Sequence, residues 1–176
     1  MPGPNLNGRA RGQRGFTLAA LLVVLLVLSL CAATTVRWYF SRSAVTLENA
    51  AILLARDVRA AQHRSIFLGR PSRFLFMPDG NGYVVTDEQG AIARNPVSDE
   101  PFLRAYPDDG VFVGVRVLSV RAGDDRTLEI DGRGVPLEDL SVELGFGDDR
   151  RVVELDHATD HIRIGGANSD WLDLDL

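Results

Sequence analysis

The chain has 176 residues, a formal net charge of −5 at pH 7 and one cysteine, which excludes an intramolecular disulfide. Its lysine-plus-arginine positions are all arginine, and three of them (Arg9, Arg11 and Arg14) lie among the first fifteen residues, where there is no acid. The rest of the chain is therefore strongly acidic. This disfavours a nucleic-acid partner, because such binding depends on the neutralisation of phosphates.

An uncharged segment follows this basic leader, from Gly15 to Val36. As a helix its 22 residues would be about 33 Å long, enough to span a hydrocarbon core of about 30 Å. The basic leader before it and Trp38 and Tyr39 after it are typical of the two interfaces of a membrane. We predict a single-pass membrane helix over residues 16–36, with the N-terminus cytoplasmic and the C-terminal part outside the cytoplasm. Cys31 would be a small apolar residue within it.

Three other interpretations of the segment stay open. A cleaved secretory signal has an apolar core of about 7–15 residues, which is shorter than this one, although Cys31-Ala32-Ala33 resembles a cleavage site. A lipoprotein signal needs a small residue before its cysteine, and Leu30 stands there. A simple signal anchor explains the leader and the span, but it does not explain the sequence at their junction.

The junction reads Gly15-Phe16-Thr17-Leu18 and runs directly into the apolar segment. Together with the basic leader, it resembles the type III signal of type IV pilins and type II secretion pseudopilins. The resemblance implies that a prepilin peptidase removes residues 1–15 by cutting after Gly15 and that the new amine of Phe16 is methylated. It also implies a bacterial inner-membrane protein that assembles with other pilins or pseudopilins in a filament.

The fifth position of the implied mature chain departs from the family, because it is Ala20 where a glutamate is usual. In the family this carboxylate pairs with the terminal amine of a neighbouring subunit. Some minor pseudopilins at the filament tip also lack it, so the departure favours a minor subunit over a major one.

The helix is expected to continue through residues 37–68, outside the membrane. Apolar residues recur there at helical spacing, which predicts a face that covers a sheet; they are Leu47, Ala51, Leu54, Ala55, Val58 and Ala61. Charged residues lie mostly elsewhere, and Arg56, Arg59 and Arg64 are expected to form a solvated face. Gly69 and Pro71 are expected to end the helix.

Residues 69–176 have the pattern of strands. Three pairs of strand-like runs flank turn-forming stretches, as is typical of hairpins: residues 73–77 with 83–87, 111–120 with 126–130, and 140–146 with 151–156; a short strand over 161–165 follows. We therefore predict an α+β fold in which one long helix packs on an antiparallel sheet. Residues 87–109 are predicted to form an irregular surface excursion, and the acidic tail is either loosely ordered or docked through Trp171 and Leu172.

The closing part of the chain, residues 128–164, resembles the last hairpins of H-type minor pseudopilins and the related FimT/FimU minor pilins. Thr159-Asp160 stands where that family has Thr-Gly. The resemblance implies a minor pseudopilin, a structural subunit of the type II secretion pseudopilus. The alternative is a type IVa minor pilin of the FimT kind, some of which bind DNA; the acidic C-terminus, with Asp170, Asp173 and Asp175, disfavours DNA binding.

A search for catalytic or metal-binding residues finds only weak patterns. His157 and His161 have the spacing of a metal pair on a helix, but they lie at a strand end and turn and have no evident third ligand. Asp79-Gly80-Asn81-Gly82 resembles the start of a calcium loop, yet position twelve is Gly90, so a hairpin turn is favoured. We expect no enzyme activity, cofactor, small-molecule substrate or metal site.

Overall fold

The computed structural model describes residues 18–95, 99–123, 126–166 and 171–174, with side chains outside 32–44 and 173–174. Its contacts divide the chain into two compact units, Met1–Tyr39 and Phe40–Leu176. One helix, α1 (Leu18–Leu68), contributes to both units.

The helix ends where the sequence predicts. Gly69 adopts a left-handed φ of 61°, which glycine reaches without a side-chain clash. The Gly69 N–H then donates to the Ile66 carbonyl at 3.3 Å, and the Arg70 N–H donates to the Ser65 carbonyl at 3.2 Å. These bonds satisfy carbonyls that the last helical turn leaves without an intrahelical donor.

The second unit contains nine described strands, as the α+β prediction requires. They are β1 (Ser72–Phe76), β2 (Gly82–Asp87), β3 (Leu103–Ala105), β4 (Arg116–Arg121), β5 (Thr127–Ile130), β6 (Leu140–Phe146), β7 (Asp149–Leu155), β8 (Ile162–Gly166) and β9 (Trp171–Leu174), with a 3₁₀ turn at Tyr106–Asp108. They form two antiparallel sheets rather than the one expected, in the orders β3-β2-β1-β5 and β4-β6-β7-β8-β9.

The predicted hairpins β1–β2 and β6–β7 are present, but the middle one is wrong. β5 pairs with β1, where Leu128 lies opposite Phe74, and β4 pairs with β6 in the other sheet. Residues 111–114 are a turn instead of the start of a strand, and Gly114 adopts a φ of 97°. The turn-forming residues after β4 do not close a hairpin. They lead from one sheet to the other, because β5 pairs with β1 and completes the four-stranded sheet.

The core lies between the helix and the two sheets. All six predicted helix residues are buried, with at most 1% exposure, and Ala50 joins them. The sheets contribute buried side chains to the same cluster: Phe74, Tyr83, Val85, Leu128 and Ile130 from one, and Leu140, Val142, Leu144, Val153, Leu155, Ile162 and Ile164 from the other.

Two segments for which no strand was predicted pack against the rest of the fold. Within the expected surface excursion, Ala93, Phe102 and Tyr106 are buried, because the Phe102 N–H bonds the Ala93 carbonyl at 2.7 Å and folds the segment back onto the core. The acidic tail docks as β9, and the Trp171 ring covers Gly165, where a Cβ would lie 2.6 Å from the ring.

Candidate functional site

The candidate processing site, Gly15 and Phe16, lies outside the described residues. It stays a prediction from the sequence. The described residues begin at Leu18, within α1.

The start of α1 exposes a continuous set of large apolar side chains. Their exposed fractions run from 45% to 77%; they are Leu18, Leu21, Leu22, Val23, Val24, Leu25, Leu26, Val27, Leu28 and Leu30. We call this set the apolar half of α1. Apolar surface of this extent is typical of a membrane or protein contact, because water hydrates it unfavourably.

No helix among the described residues meets the length and hydropathy expected of a membrane span. The predicted span over residues 16–36 includes positions 16, 17 and 32–36, which lie outside the part whose side chains are described.

The packed half of α1, residues 47–65, carries a buried carboxylate, although charged residues were expected to lie mostly away from the buried face. Asp57 is 5% exposed. Its Oδ2 accepts the Tyr83 hydroxyl at 2.7 Å and the Arg104 guanidinium at 3.2 and 3.3 Å. Burial, with the nearby Tyr106 and Asp57, raises the pKa of Tyr83 well above its ordinary value, so the phenol stays a neutral donor. Asp57 therefore ties the helix to β2 and β3.

A second polar contact joins the helix to the turn between β7 and β8. The Arg59 Nη1 donates to Asp160 Oδ2 at 2.5 Å, and Nη2 donates to the Asp160 carbonyl. Gln62 Nε2 donates to Asp160 Oδ1 at 2.7 Å. Arg56 is exposed as expected and Arg64 is partly buried, but Arg59 is 16% exposed and does not belong to a solvated face.

Two further polar contacts lie on either side of these. Glu48 accepts Arg151 of β7 at 2.8 Å, and the hydroxyls of Ser65 and Ser72 are 2.6 Å apart and buried. Directional contacts therefore fix the packed half at several points along its length. The contacts of Glu48, Asp57 and Arg59 have no local sequence signal, because their partners are far apart in the chain, whereas Ser65 and Ser72 are seven residues apart.

The structure separates the two histidines of the weak metal pattern. His157 Nδ1 lies 2.7 Å from Asp139 Oδ1 and groups with Asp156, with ligand atoms within 4.8 Å of one another, while His161 is not in this group. The three residues are exposed or half-buried, and Asp156 Oδ1 already accepts the N–H groups of Ala158 and Thr159. Sequence reasoning missed Asp139, which lies 18 residues before His157.

The calcium-like stretch is a hairpin turn, as favoured above. Asp79 Oδ1 accepts the Asn81 N–H at 3.0 Å, and the turn connects β1 and β2. Its carboxylate is therefore used to close the turn.

Comparison with known proteins finds a family match at the N-terminus and a similar solved structure. The family model described as the prokaryotic N-terminal methylation motif matches residues 10–36. No curated protein matches the chain significantly. The crystal structure of the type IV minor pilin FimU from Pseudomonas aeruginosa is similar, with 16% identity, coverage of 73% of this chain and 92% of that chain, and a TM-score of 0.47. The motif confirms the predicted type IV pilin-like character.

Proposed function

We propose that this type IV pilin-like chain is a minor pseudopilin, a structural subunit of a type II secretion pseudopilus in the bacterial inner membrane. The observation that carries the proposal is the methylation motif over residues 10–36, which surrounds the Gly15-Phe16 junction. A prepilin peptidase would cut after Gly15 and methylate the amine of Phe16. The short basic leader is then a processing signal and not part of the mature subunit.

The exposed apolar half of α1 supports assembly in a membrane and then in a filament. Side chains from Leu18 to Leu30 are exposed around the helix and require lipid or neighbouring helices to cover them. In this proposal residues 16–36 span the membrane once, and residues 37–68 continue the helix outside the cytoplasm. Residues 69–176 form the β-rich periplasmic domain that the packed half of α1 supports.

Ala20 supports a minor role. It offers no carboxylate to a neighbouring subunit's terminal amine, and such a pair gains strength in a low-dielectric bundle. A subunit without this attraction is a poor repeating unit, so we infer that it is rare and lies near one end of the filament. Its own Phe16 amine remains available to a carboxylate from an adjacent subunit.

The test uses the native host. Deletion of the gene should leave secreted proteins in the periplasm while pilus-dependent motility and DNA uptake continue, and the full-length gene should restore secretion. Loss of motility or DNA uptake with normal secretion would contradict the pseudopilin assignment and favour the minor-pilin alternative. Normal function in all three would contradict both.

A further inference from the structure

The turn between β7 and β8 contains an aspartate in a backbone conformation that favours glycine. Asp160 has a φ of 58°, in the left-handed region. Aspartate and asparagine enter this region more readily than most side chains, but glycine enters it at the least steric cost. Turn geometry alone therefore does not require an aspartate here.

The polar atoms of Asp160 are directed at α1. Its two carboxylate oxygens accept from Arg59 and Gln62, and its carbonyl accepts from the second Arg59 nitrogen. Arg59 and Asp160 are 101 residues apart in the chain. Gln62 is buried and the Arg59 side chain is 16% exposed, whereas the Asp160 side chain is 53% exposed, so water is excluded mainly from the helix side of these bonds.

The same group reaches a third segment. Gln62 Nε2 also donates to the carbonyl of Gly134 at 3.2 Å, in the loop between β5 and β6. Gly134 has a φ of 79°, and a Cβ there would lie 2.5 Å from Ile66. The helix, this loop and the β7–β8 turn thus meet at Arg59 and Gln62.

We propose that the Asp160 carboxylate holds the β7–β8 turn on α1 and acts with the Glu48–Arg151 contact to fix the rotation of the packed half against the five-stranded sheet. The apolar face of the helix determines which side is buried, but apolar contacts are non-directional and leave small rotations about that position open. The Arg59 guanidinium is planar and binds its acceptors in one orientation, so it adds a directional bond that favours one rotation of the helix. We name Arg59, Gln62 and Asp160 the clasp.

Asp99 provides a matched comparison within the chain. It has nearly the same backbone angle, with φ 57°, and it also faces an arginine, Arg94, at 3.4 Å. That pair is local and exposed, with side-chain exposures of 69% and 85%. Asp99 therefore has the strain and the charge of Asp160, but it has no described clasp to the helix.

The experiment measures amide hydrogen exchange by mass spectrometry on the full chain in detergent micelles. Asp160→Gly removes the backbone strain and both carboxylate bonds, while the backbone carbonyl that accepts from Arg59 remains. We expect exchange in the β7–β8 turn and around Arg59 to become roughly tenfold faster, which corresponds to about 1.4 kcal/mol. Asp99→Gly should leave both segments as protected as in the parent. Equal protection in Asp160→Gly and the parent would overturn the proposal.

A double-mutant cycle separates the clasp from general damage to the fold. If the clasp exists, Arg59→Met and Asp160→Asn should each accelerate exchange, and the double variant should be no faster than the faster single variant. Acceleration in the double variant equal to the product of the two singles would show independent sites and overturn the proposal. Asparagine also tolerates the left-handed region, so the Asp160→Asn variant tests the loss of the charge without a change of backbone preference.

Discussion

The two described parts of α1 differ in side-chain size and in what covers them. From Leu18 to Leu30 the helix presents leucine and valine to its surroundings, whereas in the packed half Ala50, Ala51, Ala55 and Ala61 allow close approach of the sheets. The large apolar side chains of the first part are 45–77% exposed, and the second part is tied to the sheets by Asp57 and the clasp. One continuous helix thus combines an exposed apolar surface with a buried, fold-forming one, and the two differ in composition.

The largest difference should appear when one leucine is shortened in each part. Leu54 is completely buried, so Leu54→Ala should lower the free energy of unfolding by about 2–5 kcal/mol through lost burial and a residual cavity. Leu26 is 71% exposed, so Leu26→Ala should have little effect on unfolding of the β-rich unit. Denaturant unfolding of the full chain in micelles measures both. Equal losses would contradict the division of α1.

A carboxylate in the apolar half should alter assembly rather than folding. Ala20→Glu adds a charge that costs about 2.5–3.5 kcal/mol on membrane-insertion scales, but it can pair with a neighbour's terminal amine. We expect this variant to enter the filament body more often, as measured by quantitative proteomics of sheared filaments. Ala19→Glu adds the same charge one position earlier and should not do so. Unchanged incorporation of Ala20→Glu would show that Ala20 does not determine the place of this subunit.

In the packed half, removal of the buried carboxylate should cost more than removal of an exposed one. Asp57→Ala leaves the Tyr83 hydroxyl and Arg104 without their acceptor, at a cost of about 1–3 kcal/mol. Glu129→Ala breaks the ion pair with Arg73. The Arg73 and Glu129 side chains are 48% and 45% exposed, so the loss should cost less than about 1 kcal/mol. Thermal unfolding followed by circular dichroism compares them. A larger effect for Glu129→Ala would contradict the role of Asp57.

The smallest expected effect is a pH dependence at the β7–β8 turn. The bond to Asp139 raises the pKa of His157, and His157 lowers the pKa of Asp139. The histidine contribution is therefore complete below its unfolded pKa and is lost as the pH rises through the raised folded value. The aspartate contribution is complete above its unfolded pKa and is lost as the pH falls through the lowered value.

His157→Gln should accordingly remove a small part of the stability at mildly acidic pH and none at alkaline pH. Unfolding curves of the parent and the variant at mildly acidic and at alkaline pH measure this difference in stability. His161→Gln is the matched control, since His161 does not belong to the Asp139 group. A loss that stays the same at all pH values would show that His157 acts through packing instead of charge.

The sequence predicted the elements that depend on local pattern. The helical spacing from Leu47 to Ala61 identified the buried face, and Gly69 marked the end of the helix, because periodicity and glycine conformation act over a few residues. It failed for β4 and β5, whose connecting turn resembles a hairpin, and for Phe102 and Tyr106, whose burial depends on a distant surface. The clasp was not predicted either, although Asp160 stands where the minor pilins that the sequence resembles have glycine, which was a signal that the position is unusual.

The central claim is that the leader before Phe16 is a processing signal, and intact mass spectrometry tests it most directly. Protein purified from membranes after co-expression with a prepilin peptidase should lack its first fifteen residues, carry one methyl group on Phe16, and keep its leader in Gly15→Val. An unprocessed chain, a cut near Cys31, or equal processing of Gly15→Val would contradict the account.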